Sequence, residues 1–92
     1  MIQSFEDDDT RELFETGSNT RWTRIERVAR RKLDQIEASI NLSDLRVPPG
    51  NHLEALKGDR IGQHSIKIND QYRICSVWKA DGAHNVEITD YH

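Results

Sequence analysis

The residues of this chain equipped to bind or transform an anion lie in its second half. Arg73 stands in Tyr72-Arg73-Ile74-Cys75, where successive side chains of a strand point to opposite sides. Ile74 and Trp78 then share one side, Arg73 and Cys75 the other, and packed helices take the more apolar of the two. Arg73 is thereby expected on the exposed face with no acid beside it in the local sequence, a donor fork for an anion. The alternative is a cross-strand ion pair with an acid such as Glu87. Upstream, Lys57-Gly58-Asp59-Arg60 sets two cations about a glycine. Such a layout presents ammonium and guanidinium groups to phosphate, or makes a turn in which Asp59 bonds its own backbone. The chain closes on Asp90-Tyr91-His92, a carboxylate, a phenol and an imidazole able to exchange a proton near neutral pH, although terminal residues also serve as plain tails. His64 and His84 read as surface or edge residues.

The elements that must hold these groups are visible in the hydrophobic periodicity. Trp22, Ile25, Val28, Ala29, Leu33, Ile36 and Ile40 recur at three- and four-residue intervals, which predicts one amphipathic helix capped by Asn19 or Thr20. Arg21, Arg24, Arg27, Arg30, Arg31 and Lys32 fall mostly between these positions and line its wet side, with Glu26 and Arg30 as an i,i+4 pair. That face is either solvated or a rail for phosphates or a partner. A shorter helix is expected over Asp9 to Glu15, burying Leu13 and Phe14 and stopped by Gly17. Ile2 to Phe5 reads as a short strand, and Pro48-Pro49-Gly50 as the centre of an extended connecting loop. Beyond Gly62 the period becomes two, in Ile66 and Ile68, then Tyr72, Ile74, Ser76 and Trp78, then Val86 and Ile88, with turns at Asn69-Asp70 and Asp81-Gly82. The expected architecture is α+β, N-terminal helices packed on one face of a small antiparallel sheet of three strands.

At 92 residues the chain has length for one core, so residues 1–92 are read as a single domain. A mean hydropathy of −0.82 and the lack of any run near the roughly 20 apolar residues of a spanning helix argue against a membrane protein. The opening MIQSFEDDDT has neither the basic nor the apolar region of a signal peptide, so a cytoplasmic protein is expected. The lone Cys75 makes no internal disulfide, and no Cys/His spacing resembles a structural zinc site; no metal or cofactor is expected. A net charge of −3 argues mildly against a free nucleic-acid binder, but the charge is uneven. Residues 1–20 hold six acids against Arg11, whereas residues 21–37 hold six cations against three acids.

Taken together, these segments resemble the HigB-like toxins of bacterial toxin-antitoxin modules, within the RelE superfamily. The resemblance spans nearly the whole chain. It rests on Ile2-Gln3-Ser4-Phe5, on the run from Asn51-His52-Leu53-Glu54 to Leu56-Lys57-Gly58-Asp59-Arg60, on Gly62-Gln63-His64-Ser65-Ile66, on Asn69-Asp70-Gln71-Tyr72-Arg73-Ile74, and on Val86-Glu87-Ile88-Thr89-Asp90-Tyr91-His92. It implies a RelE-like fold and a metal-independent ribonuclease that cuts messenger RNA in the decoding site of the 70S ribosome. It also implies silencing by a HigA-like helix-turn-helix antitoxin, through which alone the toxin meets operator DNA, and no membrane. Carried onto this chain, the resemblance makes Arg73 the phosphate clamp, Lys57 a second electrostatic stabiliser and His92 the proton-exchanging group. Asp90 would orient His92 if the strand persists to its end, and Tyr91 would stack on a base or bond the phosphate; Arg60 joins Lys57, Arg73 and Tyr91 on the RNA side. Where some relatives carry histidine this chain has Glu54, with His52 nearby, so the general base is open among Glu54, His52 and His92. Glu54 is otherwise a bystander holding Lys57. Arg24, Arg27 and Arg31 are the expected antitoxin contact. The acidic balance departs from the basic character of such toxins. Two other classes remain: a noncatalytic binding module on the same fold, and a relative aimed at another target such as a topoisomerase.

Overall fold

The computed structural model describes residues 1–90. Helix α1 (Asp8–Thr16) begins where the Asp7 carboxylate accepts the Thr10 N–H, with Asp8 and Asp9 in its positive first turn. It ends at Gly17, whose φ of 87° is the left-handed conformation that a C-terminal stop requires. Leu13 is fully buried beneath it and Phe14 half-buried.

The single helix expected next is two elements. Asn19 accepts the Arg21 N–H and caps a 3-10 segment, Thr20–Ile25, and only at Glu26 does α2 (Glu26–Ala38) begin. Trp22, Ile25, Ala29, Leu33 and Ile36 form the buried stripe, but Ile40 is 84% exposed. The helix stops short of it because Ser39 is extended, and the Asp44 carboxylate accepts the N–H groups of Ile40 and Asn41, drawing the chain into a new turn. Lys32, expected on the wet side, is 6% exposed: it lies three residues from Ala29 and four from Ile36, within the stripe.

The segment around Pro48-Pro49-Gly50 is not an extended crossing. It winds through two 3-10 turns, Leu42–Arg46 and Pro49–Asn51, which bury Leu45 and Asn51. A strand absent from the expectation follows, β1 (Glu54–Ala55), too short to show any period. Then come a 3-10 turn, Gly58–Arg60, and the strands β2 (His64–Lys67), β3 (Tyr72–Lys79) and β4 (Gly82–Asp90). The sheet is antiparallel throughout in the order β1-β2-β3-β4, four strands rather than three. Ile66, Ile74, Val86 and Ile88 meet the helices in one core with Leu13, Ala29, Leu33 and Ile36. Between the pairs Cys75–Glu87 and Val77–His84, β4 spends one more residue than β3, and Asn85 there has a φ of 54°. Ile2 and Phe5 form isolated parallel bridges to Ala83 and Val86 along β4 instead of a strand. Among the described residues no helix is long and apolar enough to cross a membrane.

Candidate functional site

On the sheet face turned from the helices, the register aligns Glu54, Ser65, Cys75 and Glu87 in one row and Lys67, Arg73 and Thr89 in the next. Arg73 is on the expected face but is not exposed: it keeps 8% of its surface. Its Nε donates to Ser65 Oγ at 2.7 Å and its Nη2 to the His52 carbonyl at 2.6 Å. Glu87, offered as a cross-strand partner for Arg73, binds Arg60 at 2.7 Å.

That ion pair explains why the face is less open than alternation predicts. Arg60 follows β1 at one edge of the sheet and Glu87 sits on β4 at the other, so their bridge spans the row between them. Ser65 and Cys75 in that row are 1% and 0% exposed. Burial pushes the Cys75 thiol pKa up, opposed by its contact with Thr89 Oγ1 and by the charge of Arg60. The Arg60 guanidinium is held above its usual range chiefly by the hydrogen bond to Glu87, and it also donates to Gln63 Oε1.

Beside this row is a cleft of about 420 Å³ lined by Glu54, Ala55, Leu56, Lys57 and Arg60. Lys57 is exposed at its rim, just before the turn in which Gly58 takes a φ of 63°. Glu54 is exposed as well, and its register partner Ser65 is the residue that bonds Arg73. Four of the expected residues, Glu54, Lys57, Arg60 and Arg73, therefore converge on one side of the sheet. The cations there suit a phosphodiester that needs charge stabilisation.

Asp90 does not join them at this register. It pairs with Tyr72, on the face of Ile74 and Ile88, and it accepts a hydrogen bond from Gln71 Nε2 at 3.1 Å. Its neighbour Thr89 is the residue opposite Arg73. Tyr91 and His92, expected to stack and to transfer the proton, lie outside the described residues. The His52 ring is exposed, and it is the His52 carbonyl that contacts Arg73. His64 is half-buried on β2 and borders a groove of about 670 Å³ with Leu42, Arg46 and Leu53. His84 is half-buried against Asp81 at 2.6 Å, a contact that holds the Asp81 carboxyl below the usual carboxylate range. Arg24, Arg27 and Arg31 are exposed on α2 or just before it, as expected.

Three contributors were missed. Ser65 gave no signal beyond being a polar residue in a strand. Lys32 and Asn51 gave a faint one, a cation within an apolar stripe and an amide after a Pro-Pro-Gly break. Lys32 Nζ donates to Asn51 Oδ1, and Asn51 Nδ2 donates to Gln35 Oε1 and to the Leu45 carbonyl, each at 3.1 Å. Burial first, then the charge of Arg31, lowers the Lys32 pKa.

Residues 3–92 match the family model described as the RelE-like toxin of type II toxin-antitoxin system HigB. The chain is 39% identical over 77 residues to Toxin HigB-1 of Vibrio cholerae, covering 84% of this chain and 75% of that protein. It is 49% identical over 53 residues to an uncharacterized protein of Haemophilus influenzae, covering 58% of this chain and 50% of that one. With a match across nearly its full length and the α+β arrangement that a RelE-like fold requires, the chain belongs to the HigB-like family of RelE-like toxins of type II toxin-antitoxin systems.

Proposed function

We propose that this toxin is a ribosome-dependent messenger-RNA endonuclease acting in the cytoplasm, with no metal or cofactor in its chemistry. Members of the family are generally endoribonucleases, and the observation that carries the reading here is the held guanidinium of Arg73 beside the cleft of Glu54, Lys57 and Arg60. In the reaction the ribose 2′-oxygen attacks the adjacent phosphorus as its proton passes to a general base. The bond to the 5′-oxygen breaks, and that oxygen leaves with a proton from a general acid. The products are a 2′,3′-cyclic phosphate and a 5′-hydroxyl. Arg73 stabilises the charge that builds on the phosphorane oxygens, with Lys57 as the second cation. A donor already fixed by two hydrogen bonds does this without reorganising during the step. Arg60, tied to Glu87, contributes field to the cleft from a fixed position. Glu54 lies on the cleft wall as one candidate base, His52 and His92 being the others, and Tyr91 is a stacking surface for a base. Asp90 is proposed to act on His92 from outside the cleft, since its register in β4 turns it to the helix-bearing face.

The antitoxin partner that a type II toxin implies is proposed to be HigA-like and to engage Arg24, Arg27 and Arg31. It silences the toxin by covering the cleft or by adding bulk that bars it from the decoding site, and it alone carries the complex to operator DNA. Mapping 5′ ends of transcripts after brief induction tests the reading. New ends confined to translated regions, absent for Arg73→Ala, are the expected result. Arrested growth with intact messages would instead favour a noncatalytic module or another target such as a topoisomerase.

A further inference from the structure

His52 takes a φ of 46° and a ψ of 55°, a left-handed backbone uncommon outside glycine. Its carbonyl accepts from Arg73 Nη2. What holds it is the residue before: Asn51 is fully buried, and both its amide nitrogen and its amide oxygen are engaged, by Gln35, Leu45 and Lys32. Behind Asn51 stands the Lys32 ammonium, 6% exposed and bonded to a neutral amide oxygen. Burying a cation against a neutral partner is costly, and in an amphipathic stripe a methionine would pack the same space without that cost. The ammonium instead gives a directional lock on the turn Pro49–Asn51, whose closing N–H groups, of Asn51 and His52, donate to Pro48 and Pro49.

We propose that Lys32 and Asn51 are positioning residues for the phosphate clamp, fixing through the turn the His52 carbonyl that orients Arg73. The proposal rests on the reading of Arg73 as that clamp. Neither residue reaches the cleft, so both act through another group, and the chain runs from α2 through the turn to β3.

The test uses the 15N-labelled full chain and the Arg73 Nε–Hε resonance, which reports the bond to Ser65. In Lys32→Met that resonance is expected to shift and lose protection from exchange while the core amides of Ile66 and Ile74 keep theirs. The single-turnover rate on saturated, message-loaded ribosomes should fall by about tenfold or more at unchanged ribosome affinity. In an Arg73→Lys background the same substitution should cost nothing further, because the oriented group is already gone. If Lys32→Met does not fold, Asn51→Asp serves, keeping an acceptor for Lys32 while removing the donor to Leu45. An unmoved Arg73 resonance in a folded variant, or an equal rate loss in both backgrounds, overturns the proposal. If wild-type protein leaves ribosome-bound message intact while the resonance still moves, the nuclease reading fails and the positioning role stands.

Discussion

Arg73 gains most in meaning from its surroundings. As an exposed side chain it would be dispensable for stability, but Arg73→Ala empties a buried site and leaves Ser65 Oγ and the His52 carbonyl without a donor. We expect that variant to lose toxicity and also about 1–3 kcal/mol of stability, read from the denaturant midpoint at unchanged slope. Cys75 is fully buried with its thiol pKa raised, so alkylation of the native protein by iodoacetamide should proceed at the rate of opening and become fast only in denaturant. Fast alkylation of the folded chain would mean that the row beneath Arg60 is exposed. The lowered pKa of the Asp81 carboxyl has a definite sign: its pairing with His84 favours the folded state above the ordinary carboxylate range and is lost as pH falls through the depressed value. A 13C titration of Asp81 should show its midpoint rising in His84→Ala. Residue identity predicted the side of the sheet on which Arg73 lies, since alternation is strict at Ile74. It did not predict burial, because the groups that hold Arg73 are Ser65 Oγ and the His52 carbonyl, the latter 21 residues away in sequence.

The elements divide along the same line. α1 and β3 have strong periods and strong stops and formed close to their expected bounds, whereas β2 starts two residues before Ile66 and ends before Ile68, and β4 starts at Gly82, within the expected turn and four residues before Val86. The 3-10 entry to α2 and the strand Glu54–Ala55 were not legible, because two short 3-10 turns meeting at a kink at Trp22 keep an approximately helical spacing of apolar groups and two residues have no period at all. The cleft is built on that short strand, so half of the candidate site was readable as residue types and not as a place. For α2 the solvent side offers a direct test. Single Arg24→Glu, Arg27→Glu and Arg31→Glu variants should weaken binding to the cognate antitoxin, mainly through slower association, and the loss should shrink as salt is raised. Unchanged affinity across the series, measured by titration calorimetry, would place the interface elsewhere. Gly17 belongs to this scale too: Gly17→Ala strains a φ of 87° and brings a Cβ within 3.1 Å of the Arg30 guanidinium, so a melting temperature lower by several degrees is expected.

Across the whole molecule the charge is separated rather than cancelled. The N-terminal acids gather on and before α1, where Asp8 and Asp9 engage Arg11 and Arg21, while the exposed cations of α2 and of the cleft rim lie elsewhere in the chain. On the proposed ribosome-dependent function, a chain of net charge −3 would dock on ribosomal RNA through those cations, and its ribosome affinity should fall with rising salt despite its acidic balance. A flat dependence would remove the electrostatic contribution to docking. The central claim is tested most directly by single-turnover incubation of purified wild-type toxin with end-labelled message, free and bound on 70S ribosomes, followed by analysis of the product termini. The account predicts cleavage of the ribosome-bound message alone, leaving 2′,3′-cyclic phosphate or its 3′-phosphate descendant opposite a 5′-hydroxyl. Fragments ending in 3′-hydroxyl and 5′-phosphate would contradict the 2′-hydroxyl mechanism, and an intact message on the ribosome would contradict the claim itself.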